Sequence, residues 1–489
     1  GNYYAGGLIG SIQLSSGQQG SISQTQFNGD VHVENINGNL DYAGGMIGGA
    51  NVYYYASLTI SNSSTSGTMY GDFDNSWAIG GFVGELDSAD NADITVSNSS
   101  SSMTINGNRA EAVGGFIGAM YAQNYGYSSG GGTTTLQNVS ATGEVKGTDE
   151  SGGLVGHAQA TDDSQIQINQ SHATGNVTSY IWGETGGLVG AIIGDDYAVS
   201  LNQVYATGDV TSLNGSDDTG GLVGYSNTSV DFNDVYATGN VSGTSYVGGL
   251  LGEGGGDITN AYATGMVTSG GGQNVGGLIG TYYYGELDNS FAVGLVVNDG
   301  GDSSSTGGLI GYSNGPEAST LYNDYYAPDT TAQAECIGTG TFGQCSTHSG
   351  NDEPNYYYHS ENDPMTAWDF ETVWQPNTDN YPTFQCNDAS NNPVIHNCYQ
   401  LQAIEDNVSG DYSLANDIDC SDTVNWNEGD GFSPIADFNG TLDGNGHTIN
   451  GLTINRPNSD GIGLFRNILT STITDLTFTG GTIQGYEET

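Results

Sequence analysis

The chain has 489 residues, of which 55 are Asp or Glu and only 4 are Lys or Arg, so its formal net charge at pH 7 is −51. Four cations cannot neutralise a row of phosphates, which excludes nucleic acid as a partner and argues against binding to anionic membrane surfaces. No segment approaches the roughly 18 apolar residues of a membrane span, so we expect no membrane insertion. The chain opens at Gly1 without the basic and apolar leader of a signal peptide, and we interpret it as a mature or excised stretch.

A four-residue pattern, Gly-Gly-apolar-apolar, recurs through the first two-thirds of the chain. Its successive spacings are 38, 36, 34, 38, 34, 34, 28, 28 and 31 residues. This periodicity predicts one structural unit of about 30 residues, with insertions that loop out. The pattern begins at Gly6, Gly44, Gly80, Gly114, Gly152, Gly186, Gly220, Gly248, Gly276 and Gly307.

A second pattern lies between these tetrads and is aligned on an alanine that recurs six times, at Ala141, Ala173, Ala206, Ala237, Ala263 and Ala292. The residue five before it is apolar, the residue four after it is valine, and the residue before it is aromatic or histidine in five units. The residue three before it carries an amide or carboxylate, at Asn138, Gln170, Gln203, Asp234, Asn260 and Asn289. We expect each column to stack in space.

The apolar runs are short, β-branched and interrupted by Gly, Asn, Asp and Ser, which favours strands and turns over helices. Parallel stacking of three-strand coils, about 4.8 Å apart, would complete the backbone ladders and bury a continuous core. The amide column would form a ladder of side-chain hydrogen bonds. The glycines fit corners with positive φ or places where backbones pack closely. We therefore predict an all-β chain in which residues 1–320 form a parallel β-solenoid, right-handed by the crossover rule.

The repeats resemble the GLUG-motif repeats, which are named for a Gly-Leu-apolar-Gly core. The family occurs in large bacterial and archaeal surface proteins, adhesins and some secreted peptidases, as non-catalytic regions. The resemblance therefore implies a β-solenoid surface protein. The matching segments are Gly153-Leu154-Val155-Gly156, Gly187-Leu188-Val189-Gly190, Gly221-Leu222-Val223-Gly224 and Gly277-Leu278-Ile279-Gly280.

Residues 321–397 depart from the repeat and are rich in Tyr, Asp and Asn, with Trp368, Phe370, Trp374 and Phe384 among them. This region resembles the segment that closes GLUG arrays. The resemblance implies a cap, whose Trp and Phe side chains we expect to cover the last coil.

Residues 398–489 begin a different register, with helical spacing at Leu401, Ile404 and Val408 and strand-like segments at 412–419 and 438–449. They resemble the opening segment that precedes GLUG arrays. An opening segment after a cap is out of order for a self-contained domain, and joining the two ends of the chain would restore the order.

An end-to-end junction is supported by a further tetrad-like core at Gly463-Leu464-Phe465, equivalent to Gly7-Leu8-Ile9. If Thr489 were followed by another Gly1, the spacing from Gly463 to Gly7 would be 489 + 7 − 463 = 33, inside the range of 28–38 within the chain. We interpret the 489 residues as one period of an array, in which copies of the chain follow one another in one polypeptide or dock as subunits.

Five cysteines lie in the last third, at Cys336, Cys345, Cys386, Cys398 and Cys420, and none has CxxC spacing. A zinc or redox motif is not expected, whereas disulfides in an oxidising, extracellular setting are. We pair Cys336 with Cys345, and the resemblance to the GLUG opening segment implies that Cys398 pairs with Cys420. Cys386 is then left over, and alternatives such as Cys386 with Cys398 stay open because sequence does not fix connectivity.

Parallel β-helices also include polysaccharide lyases and hydrolases. A polyuronate lyase needs Arg or Lys at its site, and an inverting hydrolase needs carboxylates that converge on one face. The acidic pairs at 162–163, 195–196 and 217–218 lie in inserts, and we interpret them as solvated turns. We assign no catalytic residue and no organic cofactor. Calcium at acidic loops stays a candidate, because Asp, Asn and carbonyl oxygens are its preferred ligands.

These observations predict a non-enzymatic, extracellular structural protein of the cell surface that forms a fibre, stalk or adhesin. Its expected partners are copies of itself, and a glycan or another cell-surface ligand. The alternative is a carbohydrate-binding or carbohydrate-degrading β-helix protein.

Overall fold

The structure, a computed structural model, forms two compact units, Gly1–Pro382 and Thr383–Thr489. It describes residues 3–33, 41–71, 73, 76–107, 109–127, 130–180, 183–195, 198–213, 218–300, 305–314, 320–340, 345–347, 356–377, 380–385, 394–395, 398–402, 404–405, 408–414, 417–420, 423–424, 426–457, 459 and 461–485. Gly1, Cys386 and Thr489 therefore lie outside the described residues.

The first unit is a parallel β-solenoid with three sheets, which confirms the predicted fold class. The first sheet has ten short strands, each ending on the first glycine of a tetrad: Tyr4–Gly6, Tyr42–Gly44, Ala78–Gly80, Ala112–Gly114, Glu150–Gly152, Thr185–Gly186, Thr219–Gly220, Val247–Gly248, Val275–Gly276 and Thr306–Gly307.

The second sheet has eleven strands, and most begin on the second apolar residue of a tetrad. Their bounds are Ile9–Leu14, Ile47–Tyr53, Val83–Ala89, Ile117–Gln123, Val155–Ala160, Val189–Gly194, Val223–Ser229, Leu251–Gly255, Ile279–Tyr282, Ile310–Ser313 and Ile337–Gly340. The tetrad itself thus makes the corner between the first and second sheets.

The third sheet contains the alanine-centred pattern, and its strands follow one another around the remaining side of each coil. Their bounds are Gln19–Ser23, Gln26–Asn28, Val31–Val33, Ser57–Ser61, Ser64–Gly71, Asp93–Asn106, Thr133–Ala141, Val145–Gly147, Gln165–Asn169, His172–Ala173, Val177–Ser179, Val199–Ala206, Val210–Ser212, Asp231–Ala237, Val241–Gly243, Ile258–Ala263, Val267–Ser269, Glu286–Asp288, Phe291–Ala292, Val296–Asn298, Thr320–Tyr322, Tyr325–Tyr326 and Ser346–Thr347.

The columns inferred from sequence are in register in the structure. The recurring valines are direct parallel partners, as are the recurring alanines, and every member of both columns is buried. Apolar residues of successive coils therefore stack into core clusters that run along the coils, with the alanine column in one cluster and the valine column in two others. Each coil supplies too little apolar surface to fold alone, and stacking provides the rest.

The tetrad glycines are required by close backbone packing. A Cβ on Gly44 would lie 1.8 Å from the carbonyl oxygen of Ile47, and one on Gly45 would lie 2.0 Å from that of Gly81. None of the described tetrad glycines has φ in the left-handed region, so of the two roles expected for them only close packing applies.

The second and third sheets continue past residue 320, where the repeat pattern predicted the solenoid to end. Ile337–Gly340 and Ser346–Thr347 add to these sheets as further parallel strands. The described residues in the remainder of the first unit form a short helix at Pro328–Thr331, single 3₁₀ turns at Tyr356–Tyr358 and Met365–Ala367, and a strand at Trp374–Gln375.

The second unit begins at Thr383, before residue 398, where the sequence predicted the opening segment to start. It stacks short parallel strands around its own core. The expected helix near Leu401 is present as Cys398–Gln402, and Asn427–Gly429 forms a 3₁₀ turn. The strands are Thr383–Phe384, Val394–Ile395, Asp411–Leu414, Ile418–Asp419, Thr441–Asp443, Thr448–Asn450, Thr453–Asn455, Thr472–Thr474, Thr477–Thr479 and Thr482–Gln484.

Candidate functional site

The first coil of the solenoid is covered on one side only. Among the described residues, its strands pair with the second coil and have no partner on their other edge. Leu8 is 54% exposed, and Ile22 and Phe27 are half-buried. The residues equivalent to Leu8 in the following coils are fully buried: Met46, Phe82, Phe116, Leu154, Leu188, Leu222, Leu250, Leu278 and Leu309. The first coil thus presents an open edge and apolar side chains that a further coil would cover.

The last described coil of the second unit, Thr472–Gln484, is uncovered in the same way. Its strands pair with the preceding coil alone within the part of the chain that the structure describes. Ile473, Phe478 and Ile483 are 38%, 47% and 58% exposed. Their direct partners in the preceding coil, Leu442, Ile449 and Ile454, are fully buried. The last described coil thus presents an open edge and apolar side chains, as the first coil does.

The tetrad-like core predicted at Gly463-Leu464-Phe465 lies within the second unit. Leu464 is buried in the core of that unit, and Phe465 forms a parallel bridge with Ile435 and stacks on Phe438 at 4.3 Å. At the other proposed side of the junction, the backbone N–H groups of Leu8 and Ile9 donate to the carbonyl oxygen of Met46, at 3.0 and 2.9 Å. The junction itself would involve Gly1 and Thr489, outside the described residues, and stays a prediction.

A buried carboxylate pair lies on the outer face of the second sheet, on the strand Val83–Ala89. Glu85 is only 4% exposed, and it accepts hydrogen bonds from the Tyr4 hydroxyl at 3.0 Å and the Asn51 amide at 3.1 Å. Burial raises the pKa of Glu85 to about 7, against the lowering effect of a hydrogen bond from Tyr42. Glu85 is therefore partly protonated near neutral pH.

The second member of the pair is Asp87, which is 6% exposed. Its Oδ2 accepts hydrogen bonds from the hydroxyls of Tyr53 at 2.5 Å and Tyr125 at 3.4 Å, whereas its Oδ1 is buried without a hydrogen-bond partner. Burial also raises the pKa of Asp87. Tyrosine side chains thus cover both carboxylates.

This cluster was missed in the sequence because Glu85 and Asp87 follow an ordinary tetrad. A visible signal was the concentration of tyrosines in the first coils, at Tyr4, Tyr42, Tyr53, Tyr121 and Tyr125, of which Tyr4 and Tyr42 are register partners. The two carboxylates lie under these side chains and not in an open groove, which does not suit a hydrolase. Among the described residues, no group of three or more His, Cys, Asp and Glu side chains is arranged to hold a metal ion.

The described members of the acidic pairs singled out in the sequence, Asp162, Asp163, Asp195 and Asp218, lie between strands, and Asp218 is half-buried. Asp162 and Asp163 are exposed, with φ of 55° and 62°. Asp195 of the next coil is also exposed, and its Oδ2 accepts a hydrogen bond from the Asp162 backbone N–H at 2.6 Å. Asp196 and Asp217 lie outside the described residues.

The aromatic column is a continuous stack along the third sheet. Ring centroids are 4.7 Å apart between His172 and Tyr205, 4.7 Å between Tyr205 and Tyr236, 4.9 Å between Tyr236 and Tyr262, and 5.2 Å between Tyr262 and Phe291. The planes are nearly parallel, which follows from the parallel register of the strands. His172 is thus a member of a ring stack, as the sequence indicated.

The predicted cap contacts the side of the solenoid along this aromatic column. The indole N–H of Trp374 donates to Asp234 at 2.8 Å, and that of Trp368 donates to the carbonyl oxygen of Asn289 at 2.9 Å. The Tyr262 hydroxyl donates to the carbonyl oxygen of Pro382 at 2.7 Å. The expectation that the cap side chains cover the last coil is therefore corrected, because Trp368 and Trp374 cover rings of several successive coils.

Two cysteine pairs lie at disulfide distance. The Cα atoms are 6.2 Å apart for Cys336 and Cys345, and 5.2 Å apart for Cys398 and Cys420. The second pair joins the helix Cys398–Gln402 to the residue after the strand Ile418–Asp419 in the core of the second unit. Cys386 lies outside the described residues, so its state stays open.

Comparison with known proteins gives two partial similarities. The chain is 38% identical over 109 residues to Halomucin of Haloquadratum walsbyi, covering 21% of the chain and 1% of that protein. It is 32% identical over 148 residues to a putative Gly-rich membrane protein of Evansella cellulosilytica, covering 28% of the chain and 16% of that protein. No protein-family model matches the chain, and no solved structure matches it.

These names, with the solenoid fold, point to a surface or structural protein. Within the described residues, no helix has the length and apolar content needed to cross a membrane.

Proposed function

We propose that this chain is a non-enzymatic, extracellular structural protein of the cell surface, and that it forms part of a fibre, stalk or adhesin. The observation that carries the proposal is the pair of uncovered coils, one at Tyr4–Val33 and one at Thr472–Gln484. The partial similarity to Halomucin and to a Gly-rich membrane protein supports a surface location. The two cysteine pairs suit an oxidising exterior.

The mechanical role follows from the ladders of the solenoid. Each coil advances the chain by about 4.8 Å, so the ten strands of the first sheet span roughly 45 Å. The ten coils that contribute to the first sheet are bonded to one another through three sheets. A stack of this kind keeps the structures attached at its two ends at a fixed separation, which is the mechanical function of a stalk.

The array is the finer part of the proposal. Blocks of this sequence follow one another end to end, and each uncovered coil is then covered by the neighbouring block. Such a block also presents exposed tyrosines, among them Tyr54, Tyr55, Tyr125 and Tyr127, which suit contact with a glycan or another surface ligand. Calcium at the acidic loops belongs to the same proposal.

The test is electron microscopy of the purified chain and of the native material in the same buffer. A fibre with an axial repeat of one 489-residue block is the expected result for native material. Native material that contains only isolated single blocks would contradict the array. Incubation with a panel of neutral and acidic polysaccharides is the second assay, and release of reducing ends would contradict the non-enzymatic assignment.

A further inference from the structure

A left-handed turn recurs at one position of the third sheet in ten successive coils of the solenoid. It separates two strands or interrupts one, and a buried or half-buried apolar residue stands two positions before it. Its φ lies between 46° and 59° throughout, at Gln24, Asn62, Asn98, Asn138, Gln170, Gln203, Asp234, Asn260, Asn289 and Asn323. The turn is thus a marker of register, because equivalent residues of neighbouring coils adopt it together.

The uncovered coil of the second unit has the same turn. Asp475 has φ of 48°, between the strands Thr472–Thr474 and Thr477–Thr479. Ile473 stands two residues before Asp475, and Phe478 three residues after it. The first coil of the solenoid matches at each position, with Gln24 at φ of 51°, Ile22 two residues before it and Phe27 three residues after it.

We propose that the first coil of a second copy adds to this uncovered coil as the next pair of parallel strands, with Gln24 of that copy stacked on Asp475. The inference rests on the proposed function and names the surface through which blocks would join. The implied spacing, 489 + 24 − 475 = 38, lies within the range of 26 to 40 between successive turns of the solenoid.

The register buries the apolar residues that each end leaves in water. Ile473 and Phe478, 38% and 47% exposed, would meet Ile22 and Phe27 of the second copy. Like residues then stack on like residues, as in the core columns of the solenoid. The same open ladders would also gain their missing backbone partners, which removes the exposed edge strands.

The polar contact at the turn has a precedent within the chain. The amide of Asn260 donates to Oδ1 of Asp234 in the preceding coil at 2.9 Å, between two turn positions of the column. Gln24 and Asp475 would repeat this amide-to-carboxylate pair across the junction. The carboxylate of Asp475 would therefore not be buried without a hydrogen-bond donor.

The match extends over the first two strands of the coil and not over the third. Ile483 stands eight residues after Asp475, whereas Val31 stands seven after Gln24. Gly480 and Gly481 both have positive φ, and they form the longer turn that accounts for the extra residue. The proposed register is therefore defined by Thr472–Thr479 alone.

Disulfide crosslinking tests this register directly. Ser23 and Thr474 are exposed and each stands one residue before the turn, so they become ladder neighbours about 4.8 Å apart, within disulfide range. Ser21→Cys with Thr474→Cys is the matched control, because Ser21 lies on the same strand and face but two residues out of register. All variants also carry Cys386→Ser.

The double variants are made as single blocks and as a polypeptide of two consecutive blocks, with Thr474→Cys in the first block and Ser23→Cys or Ser21→Cys in the second. After mild oxidation, non-reducing gels and mass spectrometry of chymotryptic peptides should detect the 474–23 disulfide in at least one format, at tenfold or greater yield over the control. Equal yields for the two variants, no crosslink in either format, or a disulfide between positions 23 and 474 within one single block would overturn the inference.

The same samples distinguish this inference from the proposed function. Filaments that form without the 474–23 crosslink would overturn the register and leave the array standing. Single blocks that stay monomeric, together with the crosslink in the two-block chain, would assign the junction to covalently consecutive blocks.

Discussion

At the scale of single residues, one position in each coil determines how the third sheet turns. Asn, Gln or Asp occupies the left-handed turn in ten successive coils, and Asn and Asp are among the few non-glycine residues that adopt this conformation readily. The same side chains bond along the stack, as from Gln170 to Gln203 at 2.9 Å and from Asn323 to Asn289 at 2.9 Å. The same residues thus form both the turn and the ladder.

These two contributions can be separated at Asn260. Asn260→Gly keeps the favourable backbone and loses the amide bond to Asp234, so we expect a loss of about 1 kcal/mol in the free energy of unfolding. Asn260→Ala also places an alanine at positive φ and should cost about 1–2 kcal/mol more. Urea denaturation of both variants measures the difference, and equal losses would contradict the role of the turn.

Glu85 makes stability depend on pH. Its folded pKa of about 7 lies above its ordinary value of 4.5, so the folded chain binds the proton more tightly than the unfolded chain does. The stabilisation is therefore complete below about pH 4.5 and is lost as the pH rises through 7. The shift corresponds to at most about 3 kcal/mol.

The pH prediction is tested by urea denaturation at pH 5 and pH 8. Glu85→Gln should reduce the fall in stability between these values, because a neutral amide stays neutral at both, whereas Asp149, whose pKa burial also raises to about 7, keeps its own contribution. Asp163→Asn, at an exposed turn, serves as the control and should leave the pH dependence as in the parent chain. If the difference in unfolding free energy between the parent chain and Glu85→Gln were the same at pH 8 as at pH 5, the prediction would be refuted.

At the scale of elements, the cap region acts as a strap along the aromatic column. Trp374 is fully buried, contacts the rings of Tyr236 and Tyr262 and donates a hydrogen bond to Asp234. The sequence indicated that this region covers exposed surface. It did not indicate which surface, because the column and the cap are separated by about a hundred residues and meet only when the coils are stacked.

Removing the Trp374 side chain should therefore destabilise the solenoid. Trp374→Ala leaves a cavity over the column and removes one of the hydrogen bonds to Asp234, and we expect a loss of about 3–5 kcal/mol in the free energy of unfolding. Trp77→Ala is the control, because Trp77 is 49% exposed and should cost under about 1 kcal/mol. Chemical denaturation followed by circular dichroism compares them, and similar midpoints for the two variants would argue against the strap.

At the scale of the whole molecule, the net charge of −51 is carried with only four Lys and Arg residues. Described ion pairs are few, and they include Lys146 with Glu144 at 2.7 Å and Arg456 with Asp430 at 3.9 Å. Most carboxylates are therefore balanced by solvent ions and not by the protein. Mutual repulsion opposes folding and at the same time keeps neighbouring molecules apart.

Salt should consequently stabilise the chain. The Debye length falls from about 30 Å at 0.01 M to about 10 Å at 0.1 M and about 3 Å at 1 M, so most of the repulsion is screened below 1 M. We expect the thermal unfolding midpoint to rise steeply with NaCl up to about 0.5 M and then to level off. Sucrose at matched osmolality is the control, and an equal rise in sucrose would assign the effect to solvent exclusion instead.

The order of residues alone was enough to infer the coil. Gly-Gly-apolar-apolar and the alanine-centred columns repeat in one dimension, and stacked coils convert sequence period directly into spatial register. The strands, the core and the amide ladder could therefore be inferred from the sequence alone.

Contacts across coils, or between segments far apart in sequence, became known only from the folded chain. In the folded chain, the left-handed turns lie on Asn, Gln and Asp. The tetrad glycines do not form these turns, and they are required instead because the neighbouring backbones pack too closely for a Cβ. The folded chain buries Glu85 and Asp87 under tyrosines of neighbouring coils, and it lays Trp368 and Trp374 along the side of the solenoid. These arrangements depend on side chains converging from separate segments, and a periodic pattern carries no information about such convergence.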